Sequence, residues 1–164
     1  MNTSSPDPIL RPEEFRRACA RYATGVSVAT VSSPAGAPEG LTVNSFTSVS
    51  LDPPLVLVCI AKTATAYSSF QAAKSFVINV LREDQIDLSQ HFASSQSDRF
   101  QNIAWHSGVQ GAPVLEGVLA VLECAIHSSF EAGDHTVFVG QAERAESHEG
   151  VPLLYYASAY RKLG

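Results

Sequence analysis

Residues 41–50 read LTVNSFTSVS, and the fold turns on how this stretch is placed. In an extended chain its side chains alternate between two faces. Leu41, Val43, Ser45, Thr47 and Val49 point one way, and Thr42, Asn44, Phe46, Ser48 and Ser50 the other. Neither set is the apolar stripe of an ordinary half-buried strand. Uncharged hydrogen-bonding groups at this density need partners once buried. Two readings stay open on the residues alone. The stretch is an exposed edge strand rich in Ser and Thr, or it seats a flat heteroaromatic ligand whose carbonyls and ring nitrogens complete the bonds. The pattern predicts one strand over residues 41–51, ended by Asp52-Pro53-Pro54.

Working outward, LVLVCIA (residues 55–61) is a continuous apolar run of strand length, expected to be buried on both faces. Before the opening stretch, VSVATVS (residues 26–32) carries β-branched residues at alternate places, and SPAGAPEG (residues 33–40) reads as a turn. A helix is expected over residues 12–23. Pro12 suits its first position, and Glu13 and Glu14 suit its positive end. Phe15, Ala18, Cys19 and Tyr22 share one face, and Gly25 supplies a stop.

Further along, the pattern predicts a short helix over residues 64–74 with Tyr67 and Phe70 inward, then a strand at FVINVL (residues 76–81). A second short helix is expected from a cap at Asp84 to about Ser94, with Gln85, Leu88, Ser89 and Phe92 inside. Residues 108–117 read as a loop. Two long strands, residues 118–130 and 136–146, are joined by the hairpin turn Glu131-Ala132-Gly133-Asp134, and a last strand covers residues 153–156. Strands and helices do not alternate, which disfavours a doubly wound parallel sheet. The order fits a β-rich (α+β) domain: a closed or nearly closed antiparallel barrel with short peripheral helices.

Composition narrows the function. A chain of 164 residues suits one domain, here residues 11–164 after a loose polar tail of residues 1–10. Such a length buries roughly 70% of its unfolded surface without a metal or disulfide staple. Hydrophobic residues make up 45% and charged residues 16%, a balance that suits a large buried fraction and a subunit interface. The net charge is −5 and no basic cluster stands out, which argues against nucleic-acid binding. Cys19, Cys59 and Cys124 are odd in number and widely spaced, so a reducing cytoplasm fits. No apolar run is long enough to span a bilayer. No GxGxxG, Walker loop, GxSxG or HExxH occurs, and none of the five histidines pairs with a His or Cys at metal-ligand spacing.

An ordered set of motifs resembles the flavin reductase-like family, the short-chain reductases of two-component flavin monooxygenases. It begins with ATGVSVAT (residues 23–30) and GLTVNSFTSVSLDPPLVLVCI (residues 40–60). It continues with FVINVL, LSQHFA (residues 88–93), DRF (residues 98–100), Trp105 and GAPVLEG (residues 111–117). LECAI (residues 122–126), GDHTVFVG (residues 133–140) and PLLYY (residues 152–156) complete it. The resemblance implies an FMN-binding split barrel acting as a homodimer. It implies FMN or FAD as cofactor or substrate, NADH or NADPH as hydride donor, and a monooxygenase that receives reduced flavin.

The resemblance also implies roles for residues. Thr42, Val43, Asn44 and Ser45, with Ser48 and Val49 following, lie against the isoalloxazine ring. Ala61, Lys62, Thr63 and Ala64 turn near the flavin phosphate, at the start of a helix that would attract an anion. Phe92, Ala93 and Arg99 correspond to positions near the ribityl chain and phosphate, where Arg99 offers a forked contact. His135 of the GDH piece contacts the nicotinamide or the flavin edge, and Gly133 and Asp134 make the turn that places it. Outside the resemblance, Lys62 and Arg99 read as solvated charges, Asn44 as a turn residue and Phe92 as core. In such an enzyme the cofactors supply the bond-making, so the lack of an acid/base constellation is expected. The rivals are a flavin-binding oxidase of the same barrel class and a non-enzymatic protein that holds flavin or haem.

Overall fold

The computed structural model describes residues 10–164, so the expected tail, apart from Leu10, lies outside the described residues. The elements in order are α1 (Pro12–Cys19), β1 (Thr24–Gly25), β2 (Ser27–Ser32), β3 (Pro38–Val43), β4 (Thr47–Leu51) and β5 (Pro54–Ala61). Then come α2 (Tyr67–Ala72), β6 (Ser75–Val80), α3 (Ile86–Ala93), β7 (Trp105–Ser107) and β8 (Pro113–Leu115). The chain ends with β9 (Ala120–Ala132), β10 (His135–Ser147), β11 (Leu154–Tyr156) and β12 (Ala159–Arg161).

Seven strands pair in the order β3-β2-β6-β9-β10-β5-β4, every neighbour antiparallel. The two edges, β3 and β4, are consecutive in the chain and joined only by residues 44–46. Six strand spacings of about 4.8 Å would hold those edges roughly 29 Å apart in a flat sheet. A link of three residues reaches about 14 Å at most. The sheet must therefore curl until its edges meet. Ser45 makes the seam: its hydroxyl donates to the Cys59 carbonyl and accepts from the Cys59 N–H, both at 3.0 Å.

The opening stretch is thus two strands, not the single strand its spacing suggests. The break comes where the chain leaves one edge for the other, so β3 pairs with β2 and β4 with β5. The flanking run β5 is buried on one face only. Val56, Val58 and Ile60 point inward, while its other residues are partly or fully exposed because no layer among the described residues covers that face. Strands β2 and β6 are the ones buried on both sides. One core fills the barrel interior around Val31, Phe70, Phe76, Ile78 and Phe138. The other lies outside β2 and β6, beneath α3 and β8, around Val28, Leu81, Phe92, Leu115 and Leu153.

Asn79 fastens that outer layer. Its amide donates to the Val28 carbonyl and Thr30 Oγ1, each at 3.1 Å, and its carbonyl accepts from the Leu115 N–H at 2.8 Å. The expected loop at residues 108–117 therefore contains a buried strand, β8, paired with β7.

Other expectations change in detail. Helix α1 stops at Cys19, and none of its residues is buried: Phe15 is 57% exposed and Tyr22, beyond its end, 78%. Arg16 and Arg17 of this helix, with Arg21 beyond its end and Glu13, line one hollow. Helix α3 starts at Ile86 without a side-chain cap, because Asp84 is engaged by Arg82. Helix α2 is shorter than expected, with Phe70 buried and Tyr67 half-buried. The β9–β10 turn is tighter, since Ala132 already pairs with His135 and only Gly133 and Asp134 lie between them. Gly133 has φ of 62°, a conformation a side chain would strain. Strand β12, which the sequence reading missed, completes a small sheet with β1 and β11. Among the described residues no helix is long and apolar enough to cross a membrane.

Candidate functional site

The outward face of β3 forms the floor of a groove, and α3 lies across it. Gly40 makes that approach possible: a Cβ there would sit 3.3 Å from the Phe92 ring and 3.1 Å from the Ala29 carbonyl. Thr42 Oγ1 donates to the Ser89 carbonyl at 2.5 Å and ties strand to helix. Three clefts follow one another along β3 and share walls.

The middle cleft, about 320 Å³, lies between Thr42, Thr63, Ala64, Ala93 and Arg99, with the hydroxyls of Ser94 and Ser95 at its margin. It continues past Arg99 and Thr65 into a smaller cleft beside Glu39, Gly40 and Ser97. In the other direction, past Thr42 and Ala93, it opens into a cleft of about 200 Å³ lined by Val26, Asn44, Ser89, Tyr155 and Tyr160.

Arg99 stands where two of these clefts meet. One terminal nitrogen donates to the Gly40 carbonyl at 2.8 Å and the other to Thr65 Oγ1 at 3.3 Å. Its Nε is buried and has no hydrogen-bond partner among the described residues. The Arg99 carbonyl is itself held by the His91 ring at 2.7 Å. A buried, unpaired N–H on a fixed cation suits an anionic oxygen supplied by a ligand.

Thr42, Val43, Asn44, Thr63, Ala64, Phe92, Ala93 and Arg99 of the expected site all line this groove. The others lie elsewhere. The Ser45 hydroxyl is engaged at the barrel seam. Ser48 and Val49 sit on the exposed strand β4 and line none of the three clefts. Lys62 pairs with Glu131 at 3.2 Å, and its N–H donates to the Asp134 carbonyl at 2.9 Å. That bond joins the β9–β10 turn to the chain leaving β5. Across it, His135 stands opposite Ala61.

The His135 ring is bound through Nδ1 to Asp134 Oδ1 at 2.7 Å, and its side chain is 42% exposed. This bond, reinforced by the ring's charge when protonated, holds the Asp134 carboxyl below its ordinary range. Nδ1–H donation to Asp134 leaves Nε2 free to meet a ligand. His135 itself lines none of the three clefts.

The sequence reading missed Thr65, Ser94, Ser95, Ser89, Tyr155 and Tyr160. Tyr155 was visible only as part of a terminal strand and Tyr160 lay outside every expected element, and nothing local shows that β11 and β12 return to the floor of β3. Among the described residues the groove offers one cation, Arg99, one carboxylate, Glu39, many uncharged polar groups and an apolar end. That set fits a flat, phosphate-bearing heterocycle. Among the described residues no cluster of His, Cys, Asp and Glu could hold a metal ion.

Comparison with known proteins agrees. The flavin reductase like domain matches residues 19–164. The chain is 47% identical over 149 residues to a stachydrine N-demethylase reductase subunit of Rhizobium meliloti, covering 91% of this chain and 64% of that protein. It is 46% identical to a probable flavin reductase of the same organism, covering 91% of this chain and 48% of the relative. The chain thus spans about half to two thirds of the length of these relatives. Among solved structures, an NADH:FAD oxidoreductase of Streptomyces globisporus in complex with NAD and FAD fragments superposes with a TM-score of 0.88 at 38% identity, covering 96% of this chain and 97% of that one. The antiparallel split barrel, the groove along β3 and a match over nearly all described residues converge on one assignment: this chain belongs to the flavin reductase like domain family.

Proposed function

We propose that the chain is an NAD(P)H:flavin oxidoreductase that reduces FMN or FAD with NADH or NADPH and supplies reduced flavin to a partner monooxygenase. The observation that carries this reading is the groove along β3, polar but uncharged at Thr42–Asn44 and cationic at Arg99. Relatives named as reductase components and as flavin reductases support it.

Held in this groove, a flavin would supply the hydride-accepting chemistry at N5 and a reduced nicotinamide the hydride. The protein's part is to bind and orient. Thr42, Val43 and Asn44 form the floor beneath the ring, and Ser45 keeps that floor in register by clasping β5. Thr63, Ala64 and Arg99 hold the phosphate, while Phe92 and Ala93 wall the chain that leads to it. Ala61 and Lys62 carry the turn that sets His135, which presents Nε2 to the nicotinamide at the flavin edge.

Residues 11–164 act as one domain, the enzyme works in the cytoplasm, and it functions as a homodimer. Exposed Phe15, Val49, Leu51 and Phe130 supply apolar area for the dimer contact. Steady-state oxidation of NADH and NADPH with added FMN, FAD and riboflavin, beside sedimentation of the purified protein, tests the proposal. Flavin-dependent turnover and a mass twice that of one chain are expected. Flavin binding without nicotinamide oxidation would leave only a flavin-holding module.

A further inference from the structure

The cleft at the Tyr155–Tyr160 end has a composition of its own. None of its lining residues is charged, whereas Arg99 and Glu39 mark the other end of the groove. Val26, Ala93 and the two tyrosine rings make its apolar walls. The rings meet edge to face, with centroids 5.5 Å apart at 69°.

The position of Tyr160 is fixed by a relay. Its hydroxyl and that of Ser89 are 2.9 Å apart, Ser89 is fully buried, and the Ser89 carbonyl accepts from Thr42 on the groove floor. Floor, helix and aromatic wall therefore hold together as one unit. The volume of about 200 Å³ falls below the roughly 300 Å³ at which ligand pockets usually begin, so the cleft takes the edge of a ring system and not the whole.

Resting on the flavin-reductase reading, we infer that this cleft receives the dimethylbenzenoid edge of the flavin and that Tyr155 and Tyr160 determine specificity for it. The flavin has one apolar extremity, and this is the groove's one end without charge. An anionic phosphate is disfavoured there, since none of the lining residues is a cation that would offset its desolvation. With the phosphate at Arg99, Gly40 to Asn44 leaves about 13 Å along the floor for the ribityl chain and ring.

The test compares FMN, riboflavin and a riboflavin lacking the 7- and 8-methyl groups, by titration against wild type, Tyr155→Leu and Tyr160→Phe. In wild type the demethylated analogue binds several-fold more weakly than riboflavin. Tyr155→Leu weakens FMN and riboflavin equally, by about tenfold, and loses the preference for the methylated ring. Tyr160→Phe keeps the ring, breaks the bond to Ser89 and loses about threefold of affinity for both. Tyr contact also quenches flavin fluorescence, and Tyr155→Leu restores part of it on the bound ligand. If Tyr155→Leu does not fold, the methyl preference in wild type and the Tyr160→Phe titration still decide. Wild type that binds riboflavin and the demethylated analogue alike, or variants that keep the wild-type affinities, overturn this inference and leave the flavin-reductase reading standing. Wild type that binds no flavin overturns both.

Discussion

Replacing Arg99 with Met separates a binding role from a structural one. In the unliganded protein the substitution removes the bond to the Gly40 carbonyl, a part-buried contact from a charged donor that contributes about 1.5–3 kcal/mol. The longer contact to Thr65 is exposed and contributes little. The same substitution removes the buried Nε, whose missing partner costs about 1–3 kcal/mol. The two effects oppose each other, so unliganded stability should change by no more than about 2 kcal/mol. For a chain of this size that is a Tm shift of at most about 4–8 °C. Binding is different, because a phosphate oxygen that satisfies Nε and a terminal nitrogen makes charge-assisted bonds. Their loss should raise the Kd for FMN about 10–150-fold. Riboflavin lacks the phosphate and should bind the variant nearly as well as wild type. Fluorescence titration with both flavins, beside a thermal melt, measures all three quantities. A Kd that rises equally for FMN and riboflavin, or a melt lowered by about 10 °C with FMN affinity unchanged, would refute the reasoning and make Arg99 a structural fastener.

Further outcomes follow from other parts of the structure. His135→Ala should raise the KM for the nicotinamide donor by about tenfold, the worth of one lost hydrogen bond, while flavin Kd stays within a small factor; equal loss of both counts against its role. Asn79→Ala should destabilise the protein by about 2–4 kcal/mol in urea unfolding, because the Leu115 N–H and Thr30 hydroxyl lose a buried partner. A cost below about 1 kcal/mol would show that water replaces the amide. With a thiol reagent at pH 8, Cys19 should react at once because it is exposed. Cys59 should react slowly because burial raises its thiol. Cys124, pushed up to about 12 by burial and the nearby Glu143 and Glu123 carboxylates, should react only after unfolding. Rapid modification of Cys124 in the folded protein would contradict its burial.

The sequence by itself determined what depends on neighbours along the chain. Alternation and apolar runs placed the main strands of the seven-stranded sheet, with β3 and β4 merged and β1, β7, β8 and β12 unseen, Gly133 and Asp134 marked the hairpin turn, and the polar run at residues 41–50 stood out because neither of its faces was a core face. Its ordered motifs also pointed to the family that the match over residues 19–164 bears out. What only the tertiary structure decided depends on groups far apart in sequence. Ser45 meets Cys59 across 14 positions, Thr42 meets Ser89 across 47, and Ser89 meets Tyr160 across 71. The first of these contacts continues the pairing of β4 with β5 into the link that carries the chain from one edge of the sheet to the other. The others bring an aromatic hairpin to the groove floor. Periodicity reports which face of a segment is buried, but not what buries it. The same polar residues can therefore read as an exposed edge or as a ligand's seat until the long-range hydrogen bonds assign each one a partner.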